Sequence, residues 1–250
     1  MTFTTLRYGV DAGIATLTLD RPEARNALNR AMCDDIVAAA AAARADAGVK
    51  LVLIRGAGPV FCAGADLKER KGMSGDAVRA RRLAAVAAYD AIETLPMPVI
   101  AVVHGAAIGS GCEIAAVCDF VIATPQASFA TPEAMRGTVG ATTRLPRIIG
   151  KPLAKDMMFT GRKLSAEEAR TAGLVTRIAE AAALDAVIAE MAAAIAGASA
   201  DALRQAKRCI DQGTALDPRG ALALELLALE ENIVRDTWRA GMSGFGRDKP

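Results

Sequence analysis

Val99-Ile-Ala-Val-Val-His-Gly-Ala-Ala-Ile-Gly-Ser-Gly-Cys-Glu113 is the stretch that decides the fold. Its first five residues are apolar without alternation, the pattern of a strand buried on both faces. Glycines at 105, 109 and 111 follow, and small residues let a ligand approach the main chain closely. Glu113 stands in a short helix predicted over Gly111–Cys118. A second apolar run, Phe120–Ala123, precedes Ser128-Phe-Ala-Thr-Pro-Glu133. Two acids thus follow two buried strands beside exposed backbone N–H groups. That placement points to proton transfer next to an anion-stabilising site.

Working outward, Leu51-Val-Leu-Ile54 is another short apolar strand, followed by the small-residue loop Gly56–Asp66. Residues 3–10 and 14–19 alternate around Asp11-Ala-Gly13 and read as a hairpin. Helices are predicted over Asn29–Ala45 and Asp76–Glu93, the second with Ala80, Leu83, Ala84, Val86, Ala87 and Ala91 on its apolar face. From Leu153 onward the pattern is nearly all helical: Leu153–Thr160, Ser165–Ala172, Leu184–Ala196, Ala200–Gln212 and Pro218–Arg235. Ser165 with Glu168 forms a capping box. Unalternating strands separated by helices predict an α/β fold with a mostly parallel sheet covered on both faces. The change of character is placed near residue 195, giving a core domain over 1–195 and a helical region over 196–250.

The chain has 250 residues, a net charge of +2 and 23% charged residues. So balanced a charge does not by itself imply a nucleic-acid or membrane partner, and neither is expected. No run of 18 apolar residues exists, so no membrane span is expected. The N-terminus lacks a signal-peptide pattern, and Cys33, Cys62, Cys112, Cys118 and Cys209 form no Cys-x-x-Cys pair. Free thiols in a reducing cytoplasm are the expectation, with no metal site.

Rival readings of the motifs are weaker. Gly109-Ser-Gly111 invites a dinucleotide-binding reading, but Ile114 stands where the next glycine belongs. No Gly-x-x-x-x-Gly-Lys string exists. His104 is the only histidine, and without a Gly-x-Ser-x-Gly elbow a hydrogen-bonded structural role is expected for it. Arg79, Arg81 and Arg82 read as a solvated helix face first and as a contact to an anionic ligand second.

Taken together, these residues resemble the crotonase superfamily, which includes enoyl-CoA hydratases and isomerases. The resemblance runs nearly the full length, through Arg21–Leu28, Phe61–Glu69, Gly105–Asp119, Phe129–Glu133, Arg144–Gly150, Phe159–Gly161 and Ala169–Val175. It implies a spiral of β-β-α turns, a C-terminal helical region that builds trimers or hexamers, and an acyl-CoA thioester as ligand. Coenzyme A is then part of the substrate, and no separate cofactor is implied. The implied oxyanion donors are the N–H groups of Ala65 and Ser110, with serine where the family often has glycine. The implied coenzyme contacts are Arg25, Ala27, Ala63, Asp66 and Leu67, with Phe245 and Lys249 from the tail. Glu113 and Glu133, twenty positions apart, match the two-acid pattern of hydratases; isomerases commonly keep one acid. Ala65-Asp-Leu-Lys-Glu-Arg70 with Met73-Ser74 also looks like methylglutaconyl-CoA hydratases. One departure stands out. Gly137-Thr-Val-Gly-Ala-Thr-Thr-Arg144 is about three residues short and lacks the family's proline and glycine run, where a backbone N–H helps hold water. The expectation is hydration of an enoyl-CoA. Isomerisation or branched-chain hydration is the nearest alternative, and a non-catalytic acyl-CoA-binding scaffold is the alternative of another class.

Overall fold

The computed structural model describes residues 3–235, 238 and 239. A six-stranded sheet runs through its centre, built from β1 (Leu6–Asp11), β2 (Ile14–Leu19), β3 (Leu51–Gly56), β4 (Val99–Val103), β6 (Phe120–Ala123) and β9 (Arg177–Ile178), in the order β1-β2-β3-β4-β6-β9. Only the β1–β2 hairpin is antiparallel; every other neighbour pair is parallel. A second sheet of three short strands, β5 (Ala106–Ile108), β7 (Ser128–Ala130) and β8 (Leu164–Ser165), stands beside it.

The period of two in a strand explains why β3, β4 and β6 carry no polar alternation. Val52, Ile54, Ala101, Val103, Val121 and Ala123 point into the larger core. Leu51, Leu53, Ile100, Val102 and Ile122 point the other way, onto Ile188, Met191 and Ala192 of α8 (Leu184–Gly197). Both faces are dry. Each fully buried aliphatic side chain there contributes roughly 1.5–3 kcal/mol.

The larger core is closed by α1 (Arg30–Ala45), capped by the Asn29 side chain on the Met32 N–H, and by α3 (Gly75–Glu93), capped by Ser74. Between them comes α2 (Leu67–Arg70). After β5 comes α4 (Ser110–Ala116), one residue earlier than predicted and ending before Cys118. α5 (Leu145–Ile149), α6 (Lys151–Thr160) and α7 (Ala166–Thr171) follow, and the Ser165–Glu168 capping box is formed. α9 (Ala200–Gly213) and α10 (Pro218–Val234) pack on each other as a hairpin, and residue 195 lies within α8. Lys207 of α9 ties this hairpin to the sheet through Asp119, whose other oxygen accepts the Val99 N–H at 2.7 Å. Among the described residues no single helix is long and apolar enough to cross a membrane; the bent pair α8–α9 passes on length and composition alone.

The apolar face predicted for α3 is corrected. Its buried residues are Arg81, Ala85, Ala88, Tyr89 and Ile92; of the predicted face, Ala84 and Ala91 pack partly against the core, while Leu83 and Val86 face out. Alanine buries so little surface that an alanine-rich helix has no strong periodic signal. The bulk of Tyr89 and Ile92 decides which side turns inward.

Asn26 fastens the loop that leads from β3 towards the site. It is fully buried in the left-handed region (φ 54°), which asparagine tolerates better than most residues. Its amide donates to the carbonyls of Ala57, Val60 and Phe61, and its oxygen accepts the Arg21 N–H at 2.9 Å. Asn26→Ala leaves these groups unpaired in a dry place and is expected to lower stability by about 2–3 kcal/mol in urea titrations. A loss below about 0.5 kcal/mol would show that the loop is held by something else.

Candidate active site

The two small-residue loops lie against each other. The Cys62 N–H donates to the Ala106 carbonyl at 3.0 Å, and the Ile108 N–H donates to Cys62 at 2.9 Å. A Cβ on Gly64 (φ 100°) would stand 2.9 Å from the Ile108 carbonyl oxygen and 3.9 Å from the Ser110 nitrogen. A Cβ on Gly111 would overlap the Cys62 carbonyl outright. These glycines are therefore required by backbone contact. The amides of Ala65 and Ser110 sit at the touching ends of the loops, and neither donates in the network of turn and loop hydrogen bonds among the described residues. Two such N–H groups can together hold one oxygen that gains negative charge.

Glu113 is buried in the first turn of α4. Its Oε1 accepts the Ala141 N–H at 3.1 Å. Its Oε2 has no hydrogen-bond donor among the described residues and faces Arg82 Nη1 at 3.7 Å. Glu133 follows β7 and Pro132, and its carboxylate lies over Gly109, where an added Cβ would stand 2.6 Å from Oε1. Gly140 closes the other side, with room for a Cβ only 3.0 Å from Glu133 Cγ. Glu133 Oε2 is also buried without a hydrogen-bond partner. Burial pushes the Glu133 carboxyl above its usual range, and the charge of Glu113 adds to this. Its own backbone N–H, Arg82 and Arg136 oppose the rise without cancelling it. A carboxyl raised in this way is biased towards its protonated form.

The shortened loop after Glu133 still reaches the site. Gly137 takes a left-handed turn, Thr138 N–H returns to the Glu133 carbonyl, and Ala141 adopts φ 55°. The Ala141 N–H that results is spent on Glu113 itself.

The arginine cluster is split rather than solvated as one face. Arg79 pairs with Asp76 at the surface. Arg81 is buried, paired with Glu69 and donating to the Leu28 carbonyl. Arg82 points at the glutamates. Seven positions on, Tyr89 lies on the same face of α3. It is fully buried, and its hydroxyl has no hydrogen bond of normal geometry among the described residues. Burial and the Glu113 charge hold its phenol well above the usual range, while Ser110 and Arg82 oppose. Tyr89 was not anticipated as a site residue. The signal available was its spacing of seven from Arg82, in a chain with only two tyrosines.

Of the expected coenzyme contacts, Arg25, Ala63 and Leu67 are exposed and Ala27 is half-buried. Asp66 is occupied: it caps α2 through the Lys68 and Glu69 N–H groups and pairs with Arg21 at 3.0 Å. Burial alone would raise the Asp66 carboxyl, but these partners hold it below its usual range. Phe245 and Lys249 lie outside the described residues. His104 Nε2 is bonded to the Gly58 carbonyl at 2.8 Å, the structural role expected of it. Cys62 and Cys112 lie close by, but burial pushes the Cys62 thiol up to about 12 and the Cys112 thiol higher still, which makes them poor nucleophiles.

A mostly parallel sheet with a glycine-built loop pair that carries Glu113 and meets Glu133 defines a crotonase-superfamily protein. The family described as enoyl-CoA hydratase/isomerase matches residues 9–249, and the chain belongs to it. Among its relatives is the human mitochondrial enoyl-CoA hydratase domain-containing protein 2, 38% identical over 95% of this chain and 84% of the other. Another is enoyl-CoA isomerase/hydratase fer4 of Mycosarcoma maydis, 36% identical over 93% and 89%. The crystal structure of an enoyl-CoA hydratase from Bacillus anthracis superposes with a TM-score of 0.94, at 33% identity over 98% and 97% of the two chains.

The raised Glu133 carboxyl has a consequence for stability. Between the unfolded-state value and the higher folded-state value, the folded protein binds more protons, so stability falls as pH rises through that window. Glu133→Gln removes the ionisation. The variant is expected to melt higher than the parent above the window, with the advantage fading as pH drops below the unfolded carboxyl range near 4.3. Melting curves from pH 4 to 8 check this; a pH-independent difference would sink it.

Proposed function

We propose that the protein is an enoyl-CoA hydratase that adds water across the 2,3 double bond of a coenzyme A thioester. The observation that carries this reading is the pair of buried carboxylate oxygens, Glu113 Oε2 and Glu133 Oε2, left without hydrogen-bond partners in one site. A water molecule has two protons for two such acceptors. The Ala65 and Ser110 N–H groups polarise the thioester oxygen and hold the enolate that forms. In other enzymes the loss of one such donor costs roughly 3–4 kcal/mol of barrier. Glu113, anchored by Ala141, takes a proton from water as the water oxygen bonds to Cβ. Glu133, whose raised carboxyl favours the protonated form, gives its proton to Cα. A proton then passes from Glu113 to Glu133 through the next water, and both return to their starting state. Arg82 offsets the charge of the pair. The exposed rim at Arg25, Ala63 and Leu67, with Ala27 beneath it, receives the coenzyme, which is part of the substrate.

Isomerisation is the second reading, since the family and the fer4 relative carry both names. It needs one acid to move a proton between two carbons of the substrate, so Glu113 separates the two. Glu113→Gln and Glu133→Gln are each expected to lower the hydration of crotonyl-CoA or a longer enoyl-CoA by about 10²–10⁴-fold. Acyl-CoA binding should stay within a few-fold. If Glu113→Gln keeps turnover and the product is a shifted double bond, the chain is an isomerase. Tight acyl-CoA binding by the parent chain with no turnover on any substrate would make it a scaffold.

We also propose a homotrimer or a hexamer. Leu222, Leu226, Leu227 and Leu229 of α10 are each more than half exposed, an apolar surface of a kind that single chains seldom leave to water. Light scattering behind size-exclusion chromatography should give three or six chains per particle. A monomer at micromolar concentration would refute the assembly.

A further inference from the structure

The Tyr89 hydroxyl is a buried polar group to which the mechanism above assigns no work. Two buried carboxylate oxygens at this site, Glu113 Oε2 and Glu133 Oε2, lack a hydrogen-bond partner among the described residues, and the Tyr89 hydroxyl has none of normal geometry, with the Ser110 hydroxyl as its hydrogen-bonding neighbour. They are complementary. The two carboxylate oxygens accept, while the phenol, held neutral, carries a proton to donate. The Ser110 hydroxyl is the hydrogen-bonding neighbour of the Tyr89 phenol, the charges of Glu113 and Arg82 act on it, Arg82 Nη1 stands 3.7 Å from Glu113 Oε2, and a Cβ on Gly140 would meet both Arg82 and Glu133. α3 delivers Arg82 and Tyr89 from the same face, and α4 supplies Ser110 and Glu113 from opposite them.

We propose that Tyr89 is a catalytic residue whose O–H donates to the oxygen of the water that adds to the substrate. This rests on the hydratase reading above. A water held in this way donates its two protons to Glu113 and Glu133 and accepts one from Tyr89. One lone pair is left over, and it is the one that bonds to Cβ. Such a site satisfies the usual requirement of a buried water for two to four polar partners. It also resolves the difficulty posed by the short 137–143 loop. The Ala141 N–H is engaged by Glu113 Oε1, so the third contact to water comes from α3 instead of the loop. Fixing the lone pair towards Cβ contributes through orientation, which is why a single donor matters to the rate. The serine at 110 is accommodated by the same arrangement, because its buried side chain has the phenol beside it.

Tyr89→Phe tests this, since it removes one oxygen and keeps the ring. Hydration is expected to fall about 10- to 100-fold, as for loss of one positioning contact. Acyl-CoA affinity is expected to change less than about two-fold, and α-proton exchange of a saturated acyl-CoA in D2O, which needs no added water, to stay near the parent rate. Parent-like hydration in Tyr89→Phe would overturn the proposal, and so would an equal loss of hydration and α-proton exchange, which would mark a structural role. A high-resolution structure of the parent protein with a saturated acyl-CoA provides the second readout. It should show a water within hydrogen-bond distance of Tyr89 Oη and both carboxylates. If the parent hydrates no enoyl-CoA, the hydratase reading fails and the catalytic assignment of Tyr89 falls with it, whereas a hydrating parent with an unimpaired Tyr89→Phe overturns Tyr89 alone.

Discussion

Backbone pressed directly on backbone, between residues 56–64 and residues 105–111, is the constraint on which the rest depends. Gly105 abuts Pro59, Gly111 abuts Cys62, and Gly64 abuts Ile108, each at a distance no side chain would permit. The contact brings the ends of two parallel strands into register and turns two amides out of the hydrogen-bond network. The positions of Ala65, Ser110 and Glu113 all follow from it, because each is within a few residues of a glycine that cannot move.

Around that fixed frame the electrostatics are arranged against stability. Glu113 is buried, Glu133 is half-buried near it, and partial burial raises the Glu133 carboxyl. One half-exposed arginine and one backbone N–H partly compensate. Sites that need a reactive protonation state commonly retain such unfavourable interactions, and the surrounding aliphatic core offsets them. Here that core is a sheet dry on both sides, with α8 covering one face and α1 and α3 the other.

Most of this was legible in the sequence, for stated physical reasons. Unalternating Val99–Val103 and Phe120–Ala123 are strands because both faces are buried. Asn29 and Ser165 mark helix starts because their side chains cap backbone N–H groups, whereas α3, capped by Ser74, starts one residue before the predicted Asp76. The glycines flagged the two loops and Glu113, and the family resemblance placed the donors at Ala65 and Ser110. What escaped was information carried by packing. The strands of the second sheet are two or three residues long and have no periodicity to read. The inner face of α3 was misjudged because alanine occupies both sides of it. Tyr89 escaped with it, and Arg82 was first read as solvated, since a charge next to Arg81 looks like surface until the helix is docked.

The glycine-locked loops also set where this architecture can change. A side chain introduced at 64, 105 or 111 meets rigid main chain, so drift there is lethal to the frame. The outer walls, α3 and residues 134–143, are held by side chains and one turn. They can exchange residues, or shed three of them, without disturbing the amides. New preferences in such a scaffold therefore arise by remodelling those two walls, while the two free amides stay where they are.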